Sequence, residues 1–548
     1  MLQALRRNVI AVVTFLLIAL TAFLSGRAIL NNPGMSVSGW ISIIAPAAAV
    51  CLAVAFITMN VQAGSDLSAL FSFSRPGINK KTLLITAVPA SALGLLIVLN
   101  PFDFIMPLFI TLSGVLFSLS VYMLLNHKSL DAVGLLMISL PFLTYVEYQT
   151  VRWNEGFGSD WITIKTAIII LFSIIWLIAD KMPRAASKFN ALVLLFVLTV
   201  FCSALFSSDV VFSMQRWLFE IVYPVIFYFI ALNSISREED TRKFKSYFLA
   251  AIFVNVILVL YYFLKYGGWD VLGEYVLNVS FADGVLVANV LIIAMPLVIA
   301  SLVTEQKRGL RLLYYAMLAL GLAGLVMSFA RTAQLSMAIG LSAFVFNKKT
   351  RKYLMFLLIA CILLIAFNSE ILTPYLSKYE GLTFEGLVHE SSMEKRYEGW
   401  KAALDMFKDH PVTGVGIGGY VREYAKYAPE YYAEYARGYV SMISAHNIYL
   451  TYLAETGLLG ALPFLLMLST ITVKAFQAVR RGGKDSVFKH SLFISVLIFS
   501  INNLTDGITF AYVKEIDKGM AFWSIAALIV SRELIEKNKG AQNVRQNI

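Results

Sequence analysis

Charged residues are scarce in this sequence. Asp, Glu, Lys and Arg make up 14% of its 548 residues, whereas hydrophobic residues make up 59%. Soluble domains contain about 25% charged residues. The deficit excludes an ordinary soluble enzyme, and the apolar surplus excludes an intrinsically disordered chain. The composition is that of a polytopic membrane protein.

Cysteine is also rare, with Cys51, Cys202 and Cys361 as the whole complement. Each lies in an apolar run, and their spacing fits neither a disulfide framework nor a metal-binding pair. The outer loops also contain no Asp-x-Asp pair and no cluster with metal-ligand spacing, so we predict no metal and no cofactor. Nucleic acid is not expected as a partner either, because the excess Lys and Arg residues lie in short loops between apolar runs.

Apolar runs that could cross a bilayer fill most of the chain. They begin near residues 9, 40, 82, 103, 130, 162, 190, 217, 246, 285, 312, 333, 353, 447, 488 and 519. These runs predict an all-α polytopic membrane protein, a bundle of about 12–16 transmembrane helices with one partly helical extracytoplasmic loop subdomain.

Basic loops alternate with non-basic ones along the chain, which predicts a cytoplasmic N-terminus and a multi-pass protein of the cytoplasmic (inner) membrane. Five segments follow from this pattern. They are N-terminal transmembrane helices of unassigned role (1–189), a core transmembrane region (190–369), the extracytoplasmic loop subdomain (370–446), C-terminal transmembrane helices (447–535) and a cytoplasmic tail (536–548).

The long hydrophilic segment at residues 370–445 holds 11 acidic and 8 basic residues, so it lacks the basic excess of the inner loops. Ser391 and Glu394 form a capping-box pattern, and Pro411 is expected to end the helix. Apolar residues recur between them on one face of a helix that would lie on the membrane or on the mouth of the bundle: Met393, Tyr397, Trp400, Leu404 and Phe407.

Three arginines are candidates for a site at the outer face. Arg331 and Arg216 lie at the outer ends of apolar runs, and Arg396 lies on the loop helix. Such residues can be ordinary interface arginines. Together they could instead bind a phosphate or pyrophosphate, because guanidinium groups stay charged and bind phosphate through two parallel hydrogen bonds.

Two further groups flank the last part of the loop. His446 precedes the helix that begins after Asn447, and it is either a cap or interface residue or a general base. Glu455 lies inside the following span, where a carboxylate is paired or functional. The run from Gly414 to Gly419 resembles a dinucleotide fingerprint, but it follows a helix, so we interpret it as a tight turn that allows close backbone approach.

Four segments, in order, resemble the O-antigen ligase / O-antigen polymerase superfamily of bacterial membrane glycosyltransferases. They are Phe206-Ser207-Ser208-Asp209 with Arg216; Ser328-Phe329-Ala330-Arg331-Thr332-Ala333; Arg396-x-x-x-Trp400-x-x-Ala403 leading to His410-Pro411-Val412-x-Gly414-Val415-Gly416; and His446-Asn447-x-Tyr449-Leu450 leading to Glu455-x-Gly457-x-x-Gly460.

The resemblance implies transfer of a saccharide from an undecaprenyl-diphosphate-linked oligosaccharide to a lipid A-core or lipid-linked glycan acceptor, within membrane lipids and with the active site facing the periplasm or cell exterior. The reaction would be inverting and metal-independent. His446 and Arg331 would be catalytic, and five residues would bind substrate: Arg396, Arg216, Trp400, Asn447 and Glu455.

Polymerase and ligase are not separated by these residues. Two other classes also stay open. A polysaccharide transporter or flippase would need charges along a path, for which Glu220, Glu455 and Asp506 are candidates. A non-catalytic membrane assembly factor would need no site at all.

Overall fold

A computed structural model describes residues 105–152, 164–179, 187–265, 284–327, 330–347, 349–351, 391–430, 445–483, 485–505 and 516–546. Within these ranges the regular structure is helical and contains no strand. The prediction of an all-α membrane protein is confirmed. The runs that begin near residues 9, 40, 82 and 353 lie outside the described residues, as does Asp506.

The helices are α1 (Ile105–Leu125), α2 (Ser129–Arg152), α3 (Ile164–Ala179), α4 (Lys188–Leu205), α5 (Val210–Arg216), α6 (Tyr223–Ser234), α7 (Glu238–Lys265), α8 (Gly284–Thr304), α9 (Arg308–Met327), α10 (Arg331–Ser342), α11 (Ser391–Asp409), α12 (Gly419–Tyr427), α13 (Ile448–Arg480), α14 (Ser486–Asn502) and α15 (Ile516–Gln546). A π-helical turn, Trp217–Val222, joins α5 to α6, and a 3-10 turn, Ala343–Phe346, follows α10.

Among the described residues, three helical segments are long and apolar enough to cross a membrane: Lys188–Leu205, Val210–Ser234 and Ile448–Arg480. The sequence predicts a span at each of these places. Long apolar helices of this kind satisfy their own backbone hydrogen bonds, which the bilayer core requires.

The chain divides into two compact units. The first comprises residues 1–182 with Ser246–Val254, a part of α7. Helices α1 and α2 form its hairpin, in which the Ser120 hydroxyl donates to the Ala132 carbonyl oxygen (2.6 Å). Tyr247 packs its ring on Gly134 and donates from its hydroxyl to Asp131 (2.7 Å).

The second unit comprises Pro183–Lys245 and Asn255–Ile548. Its centre is α8, which is buried from Leu291 to Ala300 because apolar residues occupy all of its faces. Helices α9, α10, α14 and α15 pack around it. The Ser495 hydroxyl of α14 donates to the Ile293 carbonyl oxygen (2.7 Å), which fixes the register of these two helices.

Several helices of the second unit begin or end at the same level. The Asn502 amide, where α14 ends, donates to Asn289 near the start of α8 (3.2 Å). The N–H of Ile448, where α13 begins, donates to the Asn503 carbonyl oxygen (3.1 Å). The Ser203 hydroxyl, near the end of α4, donates to the Glu455 carbonyl oxygen (3.1 Å). We call this level the site end.

Arg331 also lies at the site end. Helix α9 runs antiparallel to α8, since Gly321 faces Met295 and Gly324 faces Leu291. The chain therefore returns to the start of α8 at Met327 and begins α10 at Arg331.

Helix α11 is present as predicted and ends at Asp409, before Pro411. The side chains of the predicted apolar face differ in their exposure. Tyr397 and Leu404 are 63% and 40% exposed, whereas Ala402, Ala403 and Met406 are buried. Small side chains on this second face let α11 approach α13 closely. Of the predicted face, Trp400 packs against the same buried cluster, whereas Tyr397 and Leu404 are exposed.

Enlarging a residue on the buried face of α11 tests this packing. Ala403→Leu should destabilise the protein by about 1–3 kcal/mol through overpacking. Leu404→Ala, one residue further along, should cost less than about 0.5 kcal/mol because Leu404 is exposed. Thermal unfolding of both variants in detergent measures the difference, and equal melting temperatures would contradict the packing described here.

Candidate active site

A break in α13 lies at the centre of the site end. Gly457 has φ +57° and ψ −160°, which interrupts the helix. In an unbroken helix, the Ala454 and Glu455 carbonyls would accept from Leu458 and Leu459. Here the loop after α11 replaces both bonds: Val415 N–H donates to Ala454 (3.0 Å) and Gly416 N–H to Glu455 (2.8 Å), while Leu458 and Leu459 N–H donate to the Pro411 and Val412 carbonyls (2.9 and 3.0 Å).

The glycines of this loop are needed for the docking. Gly414, Gly416 and Gly418 all have positive φ. A Cβ on Gly414 would lie 2.3 Å from the Glu455 carbonyl carbon, and one on Gly416 would lie 2.3 Å from the Ser207 Cβ. The interpretation of this run as a tight turn of close backbone approach is confirmed. We call residues 411–418 the glycine turn.

The Glu455 carboxylate is buried beneath the glycine turn. It accepts from the N–H groups of Gly418 and Tyr420, the latter at 3.3 Å to Oε1. The charge of Arg216 also acts on it. A buried carboxylate needs such partners, because desolvation of an unpaired charge costs several kcal/mol. Glu455 thus ties the turn to α13, in agreement with the alternative that it is paired.

Arg216 ends α5 and is held tightly. Asp209 caps the start of this short helix by accepting from Phe212 N–H (3.0 Å). Arg216 Nε lies 2.6 Å from Glu220 Oε1, with the two side chains 13% and 3% exposed. The pair spans the π-helical turn, and such turns are frequent at functional sites.

Arg422 is a candidate that the sequence reasoning missed. It lies on α12, 47% exposed, with Nη1 3.0 Å from Asp209 Oδ2. Its guanidinium is 4.2 Å from the centre of the Phe212 ring, and that of Arg216 is 5.8 Å from the same centre. The sequence did offer one signal for Arg422. Tyr420 and Tyr424 are spaced to share one face of a helix, which is buried, so Arg422 between them lies on a different face of α12.

His446 stands at the start of α13 with φ +47°. Few non-glycine residues adopt a positive φ, although His is among the more tolerant ones, and such strain is concentrated at functional sites. The backbone on either side is anchored. Ala445 is fully buried, and the Ile448 N–H is bonded to the Asn503 carbonyl.

Asn447 has a structural part in this anchor. Its Oδ1 accepts from Leu450 N–H (3.0 Å), which caps α13, and its amide donates to the Leu504 carbonyl oxygen (2.9 Å). The cap is therefore Asn447, and His446 is the residue before it.

Trp400 lies on α11 and packs against a cluster that includes Ala445 and Ala454, the residues before His446 and Glu455. Its indole N–H is buried and has no hydrogen-bond acceptor among the described residues. Arg396, one turn earlier, is half-buried. Arg331 begins α10 at the same end of the unit, and its side chain lies outside the description.

The structure thus places Arg216 close enough to Glu455 for their charges to interact, and the glycine turn donates a backbone hydrogen bond to the same carboxylate. It also brings Trp400 close to the segments that carry His446 and Glu455. Around Phe212, Arg216 and Arg422 face three carboxylates: Asp209, Glu220 and Glu455. These five groups alone carry no positive surplus.

Residues 316–465 match a family model described as O-antigen ligase. This part of the chain is similar to O-antigen ligase domains, which supports the resemblance to the O-antigen ligase/polymerase superfamily. The matching domain supports a function of ligase or polymerase type in general, with lipid-linked glycans as the general substrate class. No curated protein matches the chain significantly. The domain contains six of the seven predicted site residues, and Arg216 lies outside it.

Alanine at Gly416 tests the close approach of the glycine turn. It would have to hold φ +92° and place its Cβ against Ser207. We expect a loss of about 3 kcal/mol or more, since both strain and a clash are introduced. The melting temperature in detergent and the yield of folded protein measure this loss.

Gly482→Ala is the matched control, because Gly482 has φ +62° but no atom within 4 Å of the added Cβ. It should cost only the strain, about 1–2 kcal/mol. Equal losses in both variants would show that the glycine turn does not require close contact.

Proposed function

We propose that the O-antigen ligase domain transfers a saccharide from an undecaprenyl-diphosphate carrier to a glycan acceptor outside the cytoplasm. The observation that carries the proposal is the docking of the glycine turn on the broken α13, which gathers charged groups at the helix ends of the second unit. Apolar helix faces there suit the lipid tail of the carrier, and the polar loop above them suits its glycan.

The leaving diphosphate needs positive charge. Arg216 is already compensated by Glu220 and Glu455, so an additional anion there would find little net attraction. We assign the direct diphosphate contacts to Arg331 and Arg396, the other two arginines of the predicted set. Arg422 is a third candidate, because its surface ion pair with Asp209 is worth at most about 1 kcal/mol and is easily exchanged for phosphate. Arg216 would then orient the turn and the diphosphate from beneath.

The acceptor hydroxyl needs a base, and we assign His446 to this task. Imidazole accepts protons near neutral pH, and the αL backbone at His446 is held by its neighbours. Glu455 is less suited, since its carboxylate already accepts two backbone N–H groups. Trp400 would contact sugar, and Asn447 would support the site by capping α13.

The transporter alternative places Glu220 and Glu455 along a path through the membrane. In the described residues both interact with Arg216 beside the glycine turn, an arrangement that supports one localised site instead. The assembly-factor alternative predicts that changes at His446 and Arg331 are silent.

Incubating the purified protein with undecaprenyl-diphosphate oligosaccharide, alone and with lipid A-core, tests the proposal. We expect labelled glycan to leave the carrier in one of the two mixtures: a ladder without added acceptor indicates a polymerase, and a product only with lipid A-core indicates a ligase. Arg331→Ala should reduce transfer by about 100-fold or more. No transfer in either mixture would favour the transporter or assembly-factor class.

Arg422→Ala should raise the donor concentration required for half-maximal rate by about tenfold, if Arg422 contacts the diphosphate. Lys426→Ala, also a loss of one cation on α12, is the matched control, because Lys426 is bonded to Tyr427 and does not face Phe212 in the described structure. Equal effects would remove Arg422 from the diphosphate site.

Substitution of His446 separates its imidazole from its backbone. Asparagine tolerates the αL conformation but cannot act as a base near neutral pH, so His446→Asn should keep the melting temperature and lose about 100-fold or more of the transfer rate. His446→Ala should also lose stability, since alanine is strained at φ +47°. Wild-type transfer by the Asn variant would exclude the base role.

A further inference from the structure

A second polar feature lies at the other end of α13. An open recess lies between α13, α14 and α15, far along α13 from Glu455. Four cationic side chains line it, with two carboxylates among them: Lys474, Arg481, Lys489 and Arg532, and Glu533 and Glu536. The recess is remote from the site end and is not explained by the proposed transfer reaction.

The carboxylates around the recess all form ion pairs with neighbouring cations. Glu533 forms ion pairs with Lys474 and Lys537. The other pairs are Glu536 with Lys489 (2.9 Å) and Asp485 with Arg532 (3.2 Å).

Two guanidinium groups have N–H groups without a hydrogen-bond acceptor among the described residues. Arg481 is 57% exposed and lies 3.6 Å from Glu536, beyond ordinary hydrogen-bond length. Arg532 bonds Asp485 through Nη2, but its Nε is buried without a partner in the described part of the chain. The counted groups, with Asp485 and Lys537 included, number five cations and three carboxylates. A surplus of positive charge with free guanidinium donors is suited to a phosphate.

The surface beside the recess is apolar. Val473 and Phe476 flank Lys474 on α13 and are exposed, and the ring of Phe476 packs on Phe493 of α14. This helix is one of the segments that can cross a membrane. A ligand with a phosphate and acyl chains would match the recess and the apolar surface together, whereas free phosphate would match only the recess.

We propose that this recess binds the phosphate headgroup of an anionic phospholipid, with the acyl chains against Val473 and Phe476. Basic pockets between membrane helices are known to hold anionic headgroups. The lipid would hold the ends of α13, α14 and α15 together, independently of the chemistry at the site end.

Lipid binding to the full-length, delipidated protein tests the proposal. Phosphatidylglycerol, phosphatidylcholine and inorganic phosphate would be titrated separately, with melting temperature and native mass spectrometry as readouts. We expect phosphatidylglycerol to bind in a saturable one-to-one complex and to raise the melting temperature. Arg481→Gln should weaken this binding about tenfold, and Arg532→Lys, which keeps the charge but removes Nε, should also weaken it.

Lys408→Gln is the matched control. It also removes one cation from an ion pair, with Asp405, but this pair lies on α11 and does not line the recess, so the variant should bind phosphatidylglycerol as the wild type does. Equal weakening by Arg481→Gln and Lys408→Gln would reduce the effect to general charge and overturn the site. Equal binding of phosphatidylcholine, or full stabilisation by inorganic phosphate, would overturn the assignment to an anionic lipid.

Discussion

Four backbone hydrogen bonds between the glycine turn and the broken part of α13 hold the site end together. A helix broken at Gly457 inside apolar surroundings would otherwise leave two carbonyls and two N–H groups unpaired, at about 1–3 kcal/mol each. The sum is comparable to the whole stability of a typical protein. The break and the turn therefore depend on each other.

This pairing determines where the charged groups lie. It places the Glu455 carboxylate under the Gly418 and Tyr420 N–H groups, next to Arg216. It also holds α12 where Arg422 reaches Asp209 and Glu423 accepts from the Ser208 hydroxyl (2.8 Å). Arginines from two parts of the chain thus face one aromatic ring, that of Phe212. Three carboxylates, Asp209, Glu220 and Glu455, thus face two arginines around this ring.

Helix α13 links two polar regions of different character. At its start, strained and capped backbone surrounds His446 and Asn447. At its end, Arg481 lies in a basic recess shared with α14 and α15. Between them, the helix packs on α4 and α14 and exposes apolar residues on its remaining face. A membrane enzyme that handles lipid-linked substrate can use such a helix both as a wall of the site and as an anchor in the bilayer.

Composition and the length of the apolar runs were sufficient to predict the all-α membrane fold. An apolar chain in a bilayer can pair its backbone N–H and C=O groups only by forming helices or closed barrels. The local rules for helix ends were sufficient to predict that α11 ends before Pro411. The run of glycines was sufficient to predict the tight turn, in which Gly414, Gly416 and Gly418 have positive φ. Motif order predicted a resemblance to the O-antigen ligase/polymerase superfamily, which the family match at residues 316–465 supports. These features depend on residues close together in the sequence.

Tertiary structure alone decided which residues of α11 contact α13, and that Arg216 is neutralised while Arg422 lies beside it. The close contact of α11 with α13 uses Ala402 and Ala403, with Trp400 of the predicted apolar face packed beside them. Arg422 was missed because its partners, Asp209 and Phe212, are more than 200 residues away in the chain. Contacts of that kind arise from the docking of separate backbone segments, and a local sequence pattern carries no record of them.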